Sequence, residues 1–220
     1  TFGVNSGPMM AAVDEFDITV KGKGGHAASP HLAIDPVVIS AQVISAVQTI
    51  ISRSTDPVDK ALISITKINA GTAYNVIDDQ VKMGGTIRTF RRETRAYIEK
   101  RLNELCKGIA DAHGAEIKIE FDLVNKYPPT INSKEETKFA ANVAKDLVGD
   151  DKVITDIDPS MGGEDFSYLL EKKPGSYLYL GQGDAEHSAH LHTTKYDFND
   201  NLLPIGVNFW VDLVQKYFSK

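Results

Sequence analysis

The sequence predicts an α/β protein whose residues 14–124 form a ferredoxin-like sandwich. Two observations support this prediction. In four segments of this range, apolar and polar residues alternate with a period of two, as they do in half-buried strands. In two further segments, apolar residues recur at helical spacing and are flanked by helix caps. The resulting order, β-α-β-β-α-β, suits one antiparallel sheet with two helices on one face.

The first helix of this range has the clearest start signal. Asp35 provides an N-cap, and Pro36 stands at the first helical position, where a missing N–H costs nothing. Apolar residues then continue at helical spacing to the vicinity of Arg53. We expect the first four elements to be a strand at 14–21, this helix, a strand at 61–69 and a strand at 76–90.

The last two elements of the sandwich have equally plain signals. Apolar residues recur at helical spacing from Ile98 to Ile109, and Gly114 follows where a C-terminal cap belongs. Residues 117–123 then alternate cleanly between apolar and charged side chains, which predicts a strand. Cys106 falls within this second helix and is predicted to be a core residue rather than a nucleophile.

The character of the chain changes at a linker, Tyr127-Pro128-Pro129. Ser133 and Glu136 have the spacing of a capping box, which starts a helix ending at Gly149. Beyond it we expect a helical segment at 164–171, a strand at 176–180, a polar loop at 187–200 and a helix at 201–217. These elements are too few to close a sheet of their own, so this part is predicted to be half a domain.

Composition excludes several classes of function. The chain has 220 residues and a net charge of −6, which disfavours nucleic-acid partners. Its one cysteine cannot form an internal disulfide and favours a reducing, cytoplasmic location. No uninterrupted apolar run approaches the roughly 20 residues of a membrane span, so no membrane association is expected. The chain does not begin with methionine, and we expect it to start inside something longer.

Five residues are candidates for chemistry. His192 lies in a loop with His187 and His190, where imidazoles could bind a metal or simply be solvated. His26 stands between glycines and small residues, which is typical either of close backbone approach to a ligand or of a flexible hairpin. An arginine on the polar face of a strand can clamp a carboxylate or stay exposed. The remaining candidates are Asn75 in a loop, Arg88 on that strand, and Glu164 after a glycine pair, where capping is the alternative.

Seven strings in this order resemble one protein family. The chain is similar to the metal-dependent amidohydrolases that include hippurate hydrolases, N-acyl-amino-acid amidohydrolases and related carboxypeptidases. The resemblance extends from about Gly3 to Phe218. The strings are GPMMAA (7–12), GKGGHAA (22–28), DPV (35–37), YNVI (74–77), GGTIR (84–88), MGGEDF (161–166), and LH (191–192) with YDFND (196–200).

The resemblance implies a division of the chain into domains. Members of the family have a zinc-peptidase-like α/β catalytic domain interrupted by a ferredoxin-like lid that usually dimerises. Residues 14–124 match the lid. Residues 1–13 match the end of the N-terminal part of the catalytic domain, residues 125–220 match its C-terminal part, and hinges are expected near 13 and 125. The lid therefore implies a homodimer.

The resemblance also implies roles for the candidate residues. His192 matches a metal ligand, in a site of two divalent ions of the zinc or manganese kind. His26 matches a lid histidine that reaches into the partner subunit's site and stabilises the oxyanion. Asn75 and Arg88 match substrate-binding lid residues, with Arg88 holding the substrate carboxylate. Glu164 lies in a motif near the metal pocket.

One departure from the family pattern is large. A cysteine-glycine-histidine-aspartate string and a glutamate pair, which supply the other metal ligands and the general base, are absent. The expectation is a C-terminal fragment of an enzyme that hydrolyses N-acyl amino acids or small peptides, inactive by itself. The alternatives are a non-enzymatic dimerisation or binding module built on the lid, or a simple histidine-loop metal binder. The substrate's acyl and amino-acid parts and the identity of the metal are not determined by the sequence.

Overall fold

The computed structural model describes residues 1–124, 126–183 and 186–219. The chain separates into two compact units. The central unit comprises Ala11–Pro129 and Met161–Glu164, and the flanking unit comprises Thr1–Met10, Thr130–Ser160 and Asp165–Lys220. The predicted bounds at residues 13 and 125 stay predictions, and residue 125 lies outside the described residues.

Strands and helices alternate along the described chain, which confirms the prediction of a mixed α/β fold. In chain order the elements are β1 (Phe2–Gly3), β2 (Gly7–Met10), β3 (Ala12–Lys21), β4 (Gly25–His26), α1 (Pro36–Thr49), β5 (Ala61–Asn69), β6 (Val76–Ile77), β7 (Gln80–Thr89), α2 (Arg92–His113), β8 (Glu116–Phe121), β9 (Thr130–Asn132), α3 (Lys134–Val148), β10 (Val153–Ile154), α4 (Ser167–Leu170), β11 (Tyr179–Leu180) and α5 (Leu203–Phe218).

The central unit is built on a four-stranded antiparallel sheet with the order β5-β7-β3-β8. Strands β3 and β7 pair over ten consecutive residues, from Ala12 opposite Thr89 to Lys21 opposite Gln80. Helices α1 and α2 pack against each other and against this sheet. Strand β5 forms one edge of the sheet and β8 forms the other.

The two faces of the sheet differ sharply because strand residues alternate between them. The helix-facing side is apolar and fully packed, and its core extends into α1 and α2. Its largest buried side chains include Ile18, Ile39, Met83, Ile87, Ile98 and Leu102. The opposite side, which we call the polar face, carries the charged residues of β3 and β7 other than Asp14.

Caps end the helices of the central unit where the sequence predicts. The Asp35 carboxylate accepts hydrogen bonds from the N–H groups of Val37 (2.8 Å) and Val38 (3.4 Å). Gly114 closes α2 with a left-handed backbone, at φ +64°. A side chain there would be strained, which explains the glycine.

Three predicted elements need correction. The strand expected at 76–90 is two strands, because Val76–Ile77 pairs with β4 rather than with the main sheet. The helical segment expected at 164–171 is only the single turn α4, which begins at Ser167. Ser133 does precede α3, but instead of forming a capping box its hydroxyl accepts a hydrogen bond from the N–H of Gly175 at 3.2 Å.

The flanking unit is organised around a short three-stranded sheet with the order β10-β1-β11. Phe2 of β1 packs on Phe209 of α5, with ring centroids 5.0 Å apart. The core continues into the inner side of α3 through Ala140, Val143 and Ala144.

Helix α5 of the flanking unit also has a second, exposed apolar side. The exposed residues carry no charge and recur at helical spacing: Leu203, Val207, Trp210, Val211, Val214 and Phe218. Their exposed fractions lie between 47% and 78%. A helix that is apolar on both sides is typical of a position buried on both sides.

Among the described residues, one helical stretch is long and apolar enough to cross a membrane by length and composition. It is Pro36–Ser54, with 19 residues and a mean hydropathy of 1.3. Its residues Ile39, Val43, Val47 and Ile50 are buried in the core of the central unit. The stretch is therefore accounted for as a core helix of a folded unit.

Burial makes Cys106 a chemical reporter of the fold. The side chain is 1% exposed, and desolvation raises the pKa of its thiol from 9.0 to about 11. At pH 8 the folded protein thus has about a hundredfold less thiolate than the unfolded chain. We expect a thiol-specific disulfide reagent to label native Cys106 at least that much more slowly than the urea-unfolded protein, as followed by absorbance.

The raised pKa of Cys106 also makes the stability of the fold depend on pH. The folded state binds the thiol proton more tightly than the unfolded chain does, so the thiol's contribution to the free energy of unfolding is fully present below about pH 9. That contribution is lost as the pH rises toward 11. A Cys106→Ser variant provides the background labelling rate. Labelling of the native protein at the unfolded rate would show that the helix-facing core is open.

Candidate functional site

His26 is held on a two-stranded ribbon at one end of the central sheet. In this ribbon β4 pairs with β6, which places His26 opposite Val76 and Gly25 opposite Ile77. Just beyond, the N–H of Ala27 donates to the carbonyl of Asn75 at 3.0 Å. The ribbon thus brings two of the predicted site residues, His26 and Asn75, to the same place, and both are exposed.

The contacts of the His26 ring select one tautomer. Nδ1 accepts a hydrogen bond from the N–H of Ala28 at 3.1 Å. In a neutral imidazole one nitrogen accepts and the other carries the proton. The proton of neutral His26 therefore lies on Nε2, which makes that nitrogen a hydrogen-bond donor at an exposed position.

Close backbone packing anchors the ribbon and explains its glycines. The N–H of Gly22 donates to the carbonyl of Asp79 and the N–H of Gly24 to its carboxylate, both at 2.8 Å. A Cβ on Gly22 would lie 2.0 Å from the carbonyl oxygen of Ile34, and one on Gly24 would lie 2.8 Å from Asp79 Oδ1. No side chain fits at either position. The anchoring role of Asp79, which lies two residues after β6, was not predicted from the sequence.

Arg88 lies on the polar face of β7, opposite Val13 of β3 and Leu62 of β5. It is half-buried and lines a cavity of about 410 Å³ on that face. Its guanidinium makes no ion pair within 4.0 Å with any residue of the described chain. An unpaired arginine beside a cavity can bind an anion.

Glu164 belongs to the short segment of the central unit that packs at the same end of the sheet as Arg88. The N–H of Ala11 donates to the carbonyl of Gly162 at 3.0 Å, and a Cβ on Gly163 would lie 2.1 Å from Val13 Cγ2. Glu164 lies two residues before Phe166, the N-cap residue of the single turn α4.

The four site residues of the central unit form two pairs at opposite ends of the sheet. His26 and Asn75 lie beyond the end of the sheet where Lys21 pairs with Gln80. Arg88 and Glu164 lie at the other end, where Val13 pairs with Arg88. The stretch from Gln80 to Arg88 alone spans about 27 Å at the usual strand rise. One copy of the chain cannot place both pairs on one small molecule.

His192 lies in an exposed loop of the flanking unit with an unusual backbone. It is the one non-glycine residue with a positive φ, +62°, in the part of the chain that the structure describes. The turn around it is fixed by a bond of 2.8 Å from Thr193 Oγ1 to the carbonyl of His190. Non-glycine residues in this conformation cost free energy and cluster at functional sites.

The described residues do not complete a metal site around His192. Across 1–124, 126–183 and 186–219, no three His, Cys, Asp or Glu side chains converge in a way that could hold a metal ion. The alternative of a metal site built from the histidine loop alone therefore has no support among these residues. Asp197 is the nearest acid in sequence, and the more distant Asp184 lies outside the described residues.

Comparison with known proteins gives one family. The model of "Peptidase family M20/M25/M40" matches residues 2–216. A hippurate hydrolase of Campylobacter jejuni is 38% identical over 218 residues, which are 99% of this chain and 56% of that protein. An N-acetylcysteine deacetylase of Bacillus subtilis is 35% identical over 97% of this chain and 54% of its own length.

Two solved structures match nearly the whole chain. A dinuclear metal binding peptidase from the M20 family of Bacillus subtilis superimposes with a TM-score of 0.77 at 30% identity, over 96% of this chain and 52% of that one. A protein of methicillin-resistant Staphylococcus aureus gives a TM-score of 0.87 at 28% identity, over 99% and 55%. The chain thus spans about half the length of the relatives it matches.

The ribbon geometry predicts opposite effects for two glycine substitutions. Gly22→Ala forces Cβ into the backbone of Ile34 and should destabilise the central unit by roughly 1–3 kcal/mol, as strained substitutions do. Gly108→Ala on α2, where a Cβ meets nothing within 4 Å, should stabilise it by about 0.5–1 kcal/mol. Urea unfolding of both variants measures the difference.

Amide NMR resonances of Ala27 and Ala28 report whether His26 has moved. They should shift in Gly22→Ala and stay in place in Gly108→Ala. Equal stability of the two variants would contradict the close approach at Gly22.

Proposed function

This chain belongs to the peptidase family M20/M25/M40, and from that premise we propose that the whole protein hydrolyses the amide bond of N-acyl amino acids or small peptides with divalent metal ions. Two relatives, a hippurate hydrolase and an N-acetylcysteine deacetylase, support N-acyl amino acids as the substrate class. The observation that supports it most directly is the exposed His26 with its proton on Nε2.

His26 stabilises the oxyanion in this proposal. When water adds to the amide carbon, negative charge develops on the carbonyl oxygen, and an oriented N–H donor lowers the energy of that state. The bond from Ala28 keeps Nδ1 as an acceptor and so keeps Nε2 as the donor. Asn75, joined to the same ribbon, lines the substrate site beside it.

Arg88 holds the carboxylate of the amino-acid part. A guanidinium offers two parallel N–H donors that match a carboxylate, and Arg88 is unpaired beside a cavity. Glu164 lies at the same end of the sheet and completes this half of the site. The two halves must come from different copies, because they lie at opposite ends of β7.

We therefore propose a homodimer formed through the central unit, which acts as a ferredoxin-like lid. The spatial order β8-β3-β7-β5 and the two helices on one face support that description. Strand β5 is a sheet edge, and its residues from Thr66 to Asn69 are exposed, so it can pair with a second copy. Dimerisation brings His26 of one copy toward Arg88 of the other.

His192 is the metal ligand that this chain supplies. Its positive φ and exposed position support a functional constraint. A solved relative is described as a dinuclear metal binding peptidase, which supports divalent metal ions in the whole protein. Zinc and manganese are both possible occupants by ligand chemistry.

We propose that residues 1–13 end the N-terminal part of a larger α/β catalytic domain and that residues 125–220 form its C-terminal part. The uncharged stripe on α5 supports this assignment, because such a surface is ordinarily covered. The chain spans about half of its relatives' length, so residues beyond these 220 would cover it. With its single cysteine the protein is proposed to be cytoplasmic.

Mixed dimers test the two-copy site. His26→Ala should lower kcat of the whole protein by about 10²–10³, as loss of an oxyanion donor does. Mixing the inactive His26→Ala and Arg88→Ala proteins should restore about a quarter of wild-type activity, because half of the dimers are then mixed and each holds one intact site. Hippurate hydrolysis after subunit exchange is the measurement.

A matched pair provides the control. His26→Ala mixed with Asn75→Ala should restore nothing, because both residues come from the same copy in every site. Equal recovery in both mixtures, or none in either, would contradict the proposal. A whole protein that dimerises but shows no hydrolysis with either metal would instead favour a non-enzymatic dimerisation module.

The 220-residue chain should be inactive by itself, because its described residues place His192 without further metal ligands. With added manganese or zinc we expect no hydrolysis of hippurate and only weak metal binding in calorimetry. The whole protein should be active and should lose that activity with a chelator. Hydrolysis of hippurate by the 220-residue chain would refute this expectation.

A further inference from the structure

The cavity beside Arg88 is unusual in its charges. It has a volume of about 410 Å³ and lies on the polar face of the central sheet. We call it the polar-face cavity. Its lining residues are Glu15, Phe16, Asp17, Thr66, Lys67, Gly85, Thr86, Arg88 and Asp122.

The strand register places the charged residues of the polar-face cavity at the two ends of the cavity. Glu15 lies opposite Thr86, two residues from Arg88 along the same face, so Glu15 and Arg88 are diagonal neighbours. Such pairs have Cβ atoms about 7–8 Å apart. At the other end, Asp17 and Lys67 both lie opposite Gly84, where a Cβ would meet Asp17 Oδ1 at 2.8 Å. The glycine keeps that end of the cavity open.

Two cations and two carboxylates in this cavity lack partners. With the residues that the structure describes, none of Glu15, Asp17, Lys67 and Arg88 forms an ion pair within 4.0 Å or a side-chain hydrogen bond. On the helix-facing side, in contrast, Asp14 of β3 and Arg95 of α2 form a bidentate ion pair. The polar-face cavity therefore offers both charges to a ligand.

We propose that the polar-face cavity binds a free α-amino acid as a zwitterion. The guanidinium of Arg88 pairs with the ligand carboxylate through two N–H groups. The carboxylate of Glu15 accepts from the ligand ammonium. One carbon separates the two charges of an α-amino acid, so the ligand fits between two side chains that are diagonal neighbours.

This assignment separates product from substrate, and in that respect it rests on the proposed function. In an N-acyl amino acid the nitrogen is an uncharged amide. Hydrolysis breaks the C–N bond, the acyl carbon gains the oxygen of water, and the released amine takes up protons to become ammonium. Only the free amino acid then satisfies both Arg88 and Glu15. The cavity is thus a site for the released amino acid, and it predicts product inhibition.

Direct binding to the 220-residue chain tests the proposal, because every lining residue belongs to the central unit. The probes are phenylalanine, N-acetylphenylalanine, which lacks the cation, and phenethylamine, which lacks the anion. NMR titration should give phenylalanine an affinity about tenfold higher than either analogue, since a charge-assisted hydrogen bond contributes at least that much. Arg88→Gln should remove the preference over phenethylamine, and Glu15→Gln should remove the preference over N-acetylphenylalanine.

Matched variants control for net charge. Lys82→Gln lies on the same strand and outside the cavity, and Glu93→Gln lies on α2; both should leave the titration unchanged. Equal affinity for phenylalanine and N-acetylphenylalanine, or equal effects of Arg88→Gln and Lys82→Gln, would overturn the proposal. Hydrolysis is measured separately in the whole protein. If the whole protein does not hydrolyse hippurate, the proposed function is refuted, and the binding titration still decides whether the cavity binds an amino acid.

Discussion

The ten-residue pairing of β3 with β7 is the constraint on which the rest of the central unit depends. This register decides which residues face the helices and which face the other way, since a shift by one residue would exchange the two faces. With Phe16 opposite Gly85 and Ile18 opposite Met83, the side chains of Phe16, Ile18 and Met83 lie on the helix-facing side. The opposite side is left with Glu15, Asp17 and Arg88.

The same pairing sets the distance between the two halves of the site. The ribbon that carries His26 continues from one end of the β3–β7 ladder, and Arg88 lies near the other end. Because the ladder is long, His26 and Arg88 of one copy cannot both contact the same small molecule. This strand length is therefore consistent with the proposed lid, in which each end of the ladder serves a different site of the proposed homodimer.

Much of the fold could be predicted from local signals. Alternation in β3 and β8 and the caps Asp35 and Gly114 depend on neighbours in sequence, and the structure has them where they were expected. The break between Val76–Ile77 and β7 could not be predicted in this way. The apolar pattern runs through it, and only the pairing of β6 with β4 separates the two strands. The role of Ser133 was likewise decided by a distant partner, Gly175.

The sequence by itself determined the α/β class, the candidate residues and, through ordered motifs, the family. These depend on residue type and spacing along the chain, which a sequence displays directly. Only the tertiary structure decided which candidates lie together. It joined His26 to Asn75, placed Arg88 and Glu164 at the far end of the sheet, and left Glu15, Asp17, Lys67 and Arg88 of the polar-face cavity without an ion pair among the described residues. The physical reason is that proximity in this unit arises from strand pairing between residues up to about a hundred positions apart, and spacing along the chain does not specify that pairing.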